Sequence, residues 1–500
     1  MRYNLIPTSN LKEEYLRRHN LDLNKYNEDY DFNIDEEAIN DFYNKLIENL
    51  DKKFLIVGDY DCDGICSVSI IKNLLKELSI ENSYYIPSRI KEGYGLNKLI
   101  VDNAIKYRYD VILLVDNGVS CSEAIDYAYQ HNIKVLIIDH HKFSDKPRCE
   151  AFLHQDLLSK EFEFASAGEL CFLLSLKHYF DEYNLVLGGL TILSDYIVIN
   201  AFNRFIVSEM LTYLNQFDYL PFNLLNEGSN YTGDSIKFNI IPKINSISRM
   251  ETEKFNSNHA VKFLLSMFPN ISDVNDYISS LNKTRKEESN KIFNEVISKK
   301  YEGNYVYISD NNIKEGYCSS LATKLSNYFD KPVFVFSESD GVCKGSGRCQ
   351  SYDIYYLLSS YDKYVSFGGH EHAVGISILK ENVDDFKKFL NNVILDMGQE
   401  SVEDVYVVDV KDINESLVND INSLGPFGNG YEMPIIGIKN NNYQSALLKN
   451  KYTKYLINNS LSAITFDEKY IGFVPDLIIG SLNKDSYHKG AFSIVIKALI

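Results

Sequence analysis

The stretch LIVGDYDCDGICSVSII, from Leu55 to Ile71, places three aspartates at the end of an apolar run. Asp59, Asp61 and Asp63 alternate with other residues, so an extended backbone points all three side chains the same way. Gly64 allows a tight turn, and apolar residues then recur with a helical period. The stretch therefore predicts a buried strand, a group of three carboxylates and then a helix.

Two further acidic motifs follow apolar runs that read as strands. VILLV precedes DNG and VLII precedes DHH, which gives Asp116, Asn117, Asp139, His140 and His141. Short apolar strands that alternate with helices indicate a mainly parallel sheet. The carboxyl ends of such strands line one edge, where ligands bind, so we expect the three motifs to converge there.

Clustered carboxylates beside a neutral imidazole are the ligands that Mg²⁺ and Mn²⁺ prefer. Crowded carboxylates raise one another's pKa, and bound cations remove that repulsion. Two cations can activate a water for in-line attack on phosphorus, so the sequence predicts two divalent ions, Mn²⁺ or Mg²⁺. We expect His140 to be a ligand and His141 to contact the substrate or the surroundings of the ligands. Asp195, in ILSDYIVIN, is either a further ligand or a helix cap.

The remainder of the chain divides by pattern. The first fifty residues are polar and predict a helical segment, with candidate helices around 10–19 and 35–50. A helical period over 272–300 predicts a connecting helix. A strand-rich unit follows, with two glycine-rich stretches, GVCKGSGR and FGGHEHAVG, that read either as phosphate-cradling loops or as ordinary tight turns. Short strands after Val402 predict a small barrel or sandwich.

Composition narrows the class of protein. The net charge of −18 argues against a surface coated for nucleic acid but leaves room for a basic groove. Tryptophan is absent, so any base-stacking surface must use other residues. Eight scattered cysteines without a CxxC pair predict free thiols. No apolar run approaches the roughly 20 residues of a membrane span, and the charged N-terminus is no signal peptide, which predicts a cytoplasmic protein.

At this point the motifs resemble a known superfamily. DYDCDG, DNG, DHH and Asp195 resemble, in order, the motifs of the DHH phosphoesterases. Beyond them, the chain resembles the RecJ-type single-stranded-DNA exonucleases over nearly all of its length from about residue 50. The stretches that carry this resemblance are IPSRIKEGYGLN (86–97), IIPKINSISRM (240–250), LNKTR (281–285), KGSGR, FGGHEHAVG and LGPFGNGYEMP (424–434).

The resemblance implies an α/β protein with a parallel-sheet DHH domain, a long connecting helix, an α/β DHH-associated domain and a C-terminal OB-like β-barrel. We place the boundaries at 1–50 for a helical lead, 51–270 for the DHH domain, 271–300 for the connecting helix, 301–400 for the DHH-associated domain and 401–500 for the barrel.

The resemblance also implies roles for individual residues. The metal ligands would be Asp59, Asp61, Asp63, Asp116, His140 and Asp195, with Asp116 as the bridge and Asp59 as the auxiliary member. Asp139 and Asn117 would support them. The catalytic residues would be Asp116, His140, His141, His370 and Arg348. The substrate would be held by Arg89, Tyr94, Arg249, Ser346, Arg348, Gly368, Gly369 and His370, with Tyr94 stacking on a base.

The implied activity is metal-dependent 5′→3′ degradation of single-stranded DNA to 5′-mononucleotides, in repair or recombination. The expected protein is a monomer whose partners include a single-strand-binding protein or a helicase. Two alternatives remain: a phosphodiesterase for short oligoribonucleotides or cyclic dinucleotides, and a non-catalytic DNA-binding scaffold. The sequence departs from the RecJ pattern at Tyr431, Glu432 and Lys243, which leaves the DNA-end grip and the barrel junction open.

Overall fold

The computed structural model describes residues 2–23, 25–26, 30–228, 230–394, 402–439, 443–448, 452–466, 468–485, 488 and 490–500. The strands are β1 (Arg2–Pro7), β2 (Phe54–Gly58), β3 (Asn82–Tyr85), β4 (Val111–Val115), β5 (Lys134–Ile138), β6 (Ala151–Leu153), β7 (Val306–Asp310), β8 (Val333–Ser339), β9 (Val342–Arg348), β10 (Tyr364–His370), β11 (Ala373–Leu379), β12 (Val402–Val407), β13 (Ile435–Lys439), β14 (Gln444–Leu448), β15 (Tyr452–Leu456), β16 (Leu461–Thr465), β17 (Leu477–Lys484) and β18 (Phe492–Leu499).

The helices are α1 (Leu11–His19), α2 (Glu37–Ile47), α3 (Cys62–Glu77), α4 (Lys98–Lys106), α5 (Ser122–Gln130), α6 (Ala167–Ser175), α7 (Glu182–Ser194), α8 (Ala201–Gln216), α9 (Leu220–Leu225), α10 (Gly233–Ser235), α11 (Ile241–Arg249), α12 (Ser257–Leu264), α13 (Ile271–Ile297), α14 (Glu315–Phe329), α15 (Ile354–Leu358), α16 (Val383–Val393) and α17 (Glu415–Leu424). A π-helical turn, Ile236–Ile240, leads into α11. Within the described ranges, no helix has the length and apolar character needed to cross a bilayer.

The first sheet has the strand order β3-β2-β4-β5-β6, and every pair in it is parallel. Strands β2 and β4 are buried along their whole length because helices cover both faces. Along β2, Phe54 and Ile56 enter one core while Leu55 and Val57 enter the other. The predicted parallel α/β sheet is thus confirmed, and β2, β4 and β5 end side by side.

The second unit contains a mixed sheet in the order β10-β11-β9-β8-β7. Helix α13 leads to it and covers 27 residues, close to the predicted 271–300. Helix α14 packs so closely against the first unit that a Cβ on Gly316 would lie 2.3 Å from the carbonyl oxygen of Arg249. This glycine therefore lets the two units approach at one side of the cleft between them.

The C-terminal unit is an eight-stranded sheet in the order β1-β12-β13-β17-β18-β16-β15-β14. The two helices predicted in the first fifty residues are confirmed as α1 and α2, but β1 also lies in this helical lead and pairs in parallel with β12. Its partner lies about four hundred residues away, and no local pattern signals such pairing. The β-rich C-terminal unit is confirmed, whereas its OB-like character and the domain boundaries stay predictions.

Candidate metal centre and anion-binding cleft

The acidic motifs meet at the carboxyl edge of the first sheet. Two groups of three residues have their ligand atoms within 4.8 Å of one another: Asp59, Asp61 and Asp116 in the first group, and Asp63, His140 and Asp195 in the second. Asp116 also forms such a group with His140 and His141, so it lies between the two. The arrangement fits two adjacent cations, with the carboxylate of Asp116 beside both groups.

His140 lies at the centre of the second group. Its Nε2 atom is 3.4 Å from Oδ1 of Asp116, 3.3 Å from Oδ2 of Asp195 and 3.7 Å from Oδ2 of Asp63. Asp195 follows the last residue of α7, so it is a helix cap in position. Its carboxylate nevertheless points into the metal centre, which favours the ligand interpretation.

The pKa values and the hydrogen bonding of the carboxylates in the two groups favour bound cations. Burial, followed by the charges of neighbouring carboxylates, raises the pKa of Asp59, Asp116 and Asp195 well above the usual value. The same causes raise the pKa of Asp63 to about 7. Buried oxygens of Asp59, Asp116 and Asp195 have no hydrogen-bond donor within the described chain. Hard oxygen donors in this state fit divalent cations.

The helix that follows β2 fixes two of the carboxylates. Oδ1 of Asp61 caps α3 by accepting from the backbone N–H groups of Asp63 and Gly64, at 3.0 and 3.2 Å. The carboxylate of Asp63 accepts from the N–H groups of Ala167 and Gly168 at the start of α6, at 3.0 and 2.8 Å. A Cβ on Gly64 would lie 2.4 Å from the Asp59 carbonyl oxygen, so only glycine fits this turn.

Asp116 and Asn117 depend on an unusual backbone. Asp116 has a φ of 60°, in the left-handed region that side chains seldom adopt and that is found at functional sites. The side-chain amide of Asn117 donates to the carbonyl oxygens of Val57 and Val115, at 3.0 and 2.9 Å. These bonds tie the ends of β2 and β4 together and thereby set the spacing between the carboxylates that follow.

Asp139 orients the tandem histidines. Its Oδ1 accepts from the backbone N–H groups of His140 and His141 and lies 2.8 Å from Nδ1 of His141. Burial acts to raise the pKa of Asp139, but the hydrogen bond and charge of His141 hold it below the usual value. Although burial lowers the pKa of His141, Asp139 and further carboxylates raise it to about 9.

Four arginines from separate parts of the chain form a group, because the charges of Arg89, Arg285 and Arg348 all act on Arg249. The charge of Asp61 acts on both Arg89 and Arg249, which places the group beside the acids. Burial, followed by the charges of Arg89 and Arg285, lowers the pKa of Arg249 to about 9, and burial with Arg89 lowers that of Arg348 to about 10. Arg348 donates to neutral oxygens of Ser346, Gly347 and Ser319. Mutually repelling, desolvated guanidinium groups favour an anion.

Sequence reasoning missed Arg285 as a member of this group. The side chain is 8% exposed, and its Nη2 atom donates to Oδ1 of Asn282, one turn earlier on α13. Its charge lowers the pKa of Arg249, which places the two guanidinium groups near each other. The motif LNKTR contained the signal, but the helical pattern of α13 alone gives no reason to select this arginine.

The motifs GSGR and GGH lie in strands, whereas both interpretations placed them in loops or tight turns. GSGR belongs to β9, which pairs with β8 and β11 on its two sides. A Cβ on Gly345 would lie 2.1 Å from the Val335 carbonyl oxygen, so this glycine serves strand packing. Gly368 and Gly369 lie on the edge strand β10, and nothing lies within 4 Å of a Cβ on Gly368. The His370 side chain is outside the described structure.

Tyr94 and Ser346 have partners within the protein. The Tyr94 hydroxyl donates to the carbonyl oxygen of Asp116 at 2.9 Å and lies 3.2 Å from Nδ1 of His141, with the side chain partly exposed. The Ser346 hydroxyl donates to the Val374 carbonyl oxygen and accepts from Arg348. Both residues border the cleft, and their contacts with substrate stay predictions.

The departures from the RecJ pattern have structural roles. Lys243 is buried, and its Nζ atom donates to the Leu225 carbonyl oxygen at 2.8 Å and pairs with Glu227 at 3.1 Å. The buried hydroxyl of Tyr431 donates to the Leu424 carbonyl oxygen at 2.9 Å, and its ring packs against Tyr15. Lys243 and Tyr431 are thus both buried and engaged by contacts within the protein.

The comparisons with known families agree with this geometry. Residues 53–190 match the model described as DHH family, N-terminal domain, and residues 302–396 match the DHHA1 domain. The fold and the paired acidic motifs of this chain are thus similar to those of DHH-family proteins that carry a DHHA1 domain. Within that family the similarity is to proteins of the RecJ type.

Two curated relatives are single-stranded-DNA-specific exonucleases RecJ. The one from Bacillus subtilis is 27% identical over 414 residues, which cover 78% of this chain and 52% of that protein. The one from Haemophilus influenzae is 25% identical over 429 residues, covering 77% and 74%. The chain therefore spans about half the length of the first relative and about three quarters of the second.

A solved structure matches the whole fold. The crystal structure of RecJ in complex with Mn²⁺ from Thermus thermophilus superposes with a TM-score of 0.83. It is 19% identical in sequence, and the match covers 100% of this chain and 79% of that chain. At this identity the likeness establishes the shared fold.

Proposed function

We propose that this protein is a metal-dependent exonuclease that degrades single-stranded DNA from its 5′ end to 5′-mononucleotides, in repair or recombination. The observation that carries the proposal is the juxtaposition of two opposite charge groups in one cleft. The carboxylates would hold two divalent cations, and the arginines would hold the phosphates of the strand. The names and bound Mn²⁺ of the relatives support this function.

The positions of the residues indicate a separate role for each group. The groups around Asp61 and His140 would each hold one cation, with Asp116 shared. Bound Mn²⁺ or Mg²⁺ supplies an activated water and neutralises charge on the phosphorus. Arg348, held by two serine hydroxyls, is preorganised to stabilise charge that develops on the phosphate oxygens. Arg89, Arg249 and Arg285 would bind the terminal 5′ phosphate.

The position of the C-terminal unit favours a long strand over a dinucleotide. Its junction loop bonds directly to the segment that follows Asp195, through Asn429. A strand that leaves the metal centre on this side would therefore pass along the eight-stranded sheet. A phosphodiesterase for dinucleotides would have no use for that surface.

The decisive assay uses one oligonucleotide labelled at either end, as a single strand and as a duplex, with Mn²⁺, Mg²⁺ or EDTA. We expect mononucleotides from the 5′ end of the single strand with metal and no cleavage in EDTA. Cleavage of dinucleotides without cleavage of the long strand would contradict the proposal. Dependence on a single-strand-binding protein or helicase and a monomeric state stay predictions of the resemblance, and a cytoplasmic location stays a prediction from the sequence.

A further inference from the structure

Tyr196 has a strained backbone conformation that the packing of its own side chain does little to offset. It follows Asp195 at the end of α7, with a φ of 59°, and the Ile197 N–H closes the helix by donating to the Ile192 carbonyl oxygen at 3.1 Å. Glycine is the residue that best tolerates this left-handed position. The tyrosine side chain is 69% exposed, so burial does little to offset the strain. A strained backbone at an exposed residue is a reason to look for a function.

The C-terminal unit holds the Tyr196 loop in place. The side-chain amide of Asn429 donates to the Tyr196 carbonyl oxygen at 2.8 Å. The Ile199 N–H donates to the Asn429 carbonyl oxygen, also at 2.8 Å, and Val198 forms a bridge with the same residue. The exposed ring is therefore mounted on a fixed backbone, and a preorganised surface loses little entropy on binding.

Tyr196 directly follows a residue of the metal centre. Consecutive Cα atoms are about 3.8 Å apart, and the carboxylate of the preceding Asp195 lies 3.3 Å from His140. The Tyr196 backbone thus lies between the metal centre, which the side chain of the preceding Asp195 enters, and the C-terminal unit, to which Asn429 bonds it.

We propose that Tyr196 is a base-stacking residue that holds one nucleobase of the single strand beside the metal centre, with Asn429 as its positioning residue. The inference rests on the proposed function and adds a contact that is indifferent to base identity, since every base has a π-face. The chain contains no tryptophan, so a tyrosine is a natural choice for such a surface.

The test measures binding of 5′-phosphorylated oligonucleotides in EDTA, where no cleavage occurs, with 2-aminopurine at each of the first eight positions. Tyr196→Ala should weaken binding about 5- to 100-fold and abolish the quenching at one position. Tyr196→Phe keeps the ring and should bind like the wild type. An abasic site at the quenched position should weaken the wild type but leave Tyr196→Ala unchanged.

Two further variants separate stacking from a structural role. Tyr196→Gly relieves the left-handed backbone, so it should melt at a higher temperature than the wild type while binding as poorly as Tyr196→Ala. Tyr107→Ala is the matched control, because Tyr107 is 57% exposed near the amino edge of the first sheet. It should bind normally. Asn429→Ala should weaken binding less than Tyr196→Ala.

The outcomes distinguish the inference from the proposed function. Wild-type binding with no loss in Tyr196→Ala would overturn the stacking role and leave the exonuclease proposal intact. An equal loss in Tyr107→Ala would also overturn it, because the effect would not be specific to the cleft. Failure of the wild type to bind single-stranded DNA at all would contradict the proposed function.

Discussion

The acidic groups and the arginine group border the same cleft but are assembled in opposite ways. Six of the seven acidic and histidine side chains of the metal centre follow strands of a single parallel sheet, so their convergence is a consequence of topology. The arginines come from a loop, from α11, from α13 and from β9, and meet only through packing between units. The acidic part of the site can therefore be recognised from local sequence, whereas the arginine part can be recognised only from the tertiary structure.

The two groups are nevertheless electrostatic counterparts. Burial and like charges raise the pKa of Asp116 and lower the pKa of Arg249. Each group is thus electrostatically unfavourable alone, and each is relieved by a ligand of the opposite charge: cations for the acids and phosphates for the arginines. This symmetry predicts that variants of the two groups fail in different steps.

The largest effect is expected at the shared carboxylate. Asp116→Asn keeps a residue that tolerates a φ of 60° but removes the bridging charge, so cleavage should fall by about 10³-fold or more. The variant should melt at a higher temperature than the wild type in EDTA, because it removes one of the repelling charges. Activity assays and thermal melting check both results. A wild-type cleavage rate would rule out Asp116 as a metal bridge.

Loss of an arginine should instead weaken binding of the phosphorylated 5′ end of the strand. Arg285→Ala removes a buried guanidinium from the anion-binding group, and we expect about 10- to 100-fold weaker binding of a 5′-phosphorylated strand. Binding of the same strand with a 5′ hydroxyl should change much less. Arg148→Ala, at an exposed arginine paired with Asp126, is the control. Equal losses on both strands would contradict a phosphate contact.

Without metal, the free energy of unfolding should fall as the pH rises, and bound metal should reverse this trend. Burial and Asp61 raise the pKa of Asp63 to about 7, whereas an unfolded aspartate ionises near 3.9, so stability in EDTA should fall as pH rises from about 4 to 7. Mn²⁺ binds the ionised form, and at 100 times its Kd it adds about 2.7 kcal/mol to the free energy of unfolding. Thermal melting across this range, with and without Mn²⁺, provides the check. Identical curves would mean that no metal binds here.

The smallest effect is expected outside both groups. Tyr431→Phe removes the buried hydrogen bond to the Leu424 carbonyl oxygen and should lower the free energy of unfolding by about 1–2 kcal/mol. The cleavage rate should stay unchanged, because Tyr431 packs at the junction with the C-terminal sheet. Denaturant unfolding and the nuclease assay measure the two quantities. A specific loss of cleavage would assign this departure a role in the cleft.

The sequence predicted what depends on short-range pattern. The strand–motif order was enough to place Asp59, Asp61 and Asp63 at one edge. The period-two argument was wrong for Asp63, because α3 begins at Cys62 and Asp63 lies in its first turn. The ligand atoms of Asp59 lie with those of Asp61 and Asp116, and its rank as an auxiliary ligand stays a prediction. Strand β1 and Arg285 could not be predicted, since both acquire their roles from segments distant in the chain. The glycines of β9 were misread because cross-strand packing and loop geometry favour the same residue.

We infer above all that the acidic side chains hold two cations on either side of Asp116. Calorimetric titration of the metal-free protein with Mn²⁺, in parallel with Asp116→Asn, is the sharpest test. We expect two equivalents per chain for the wild type, with weakened binding of both in the variant. One equivalent or none in the wild type, or unchanged binding of both in the variant, would contradict it.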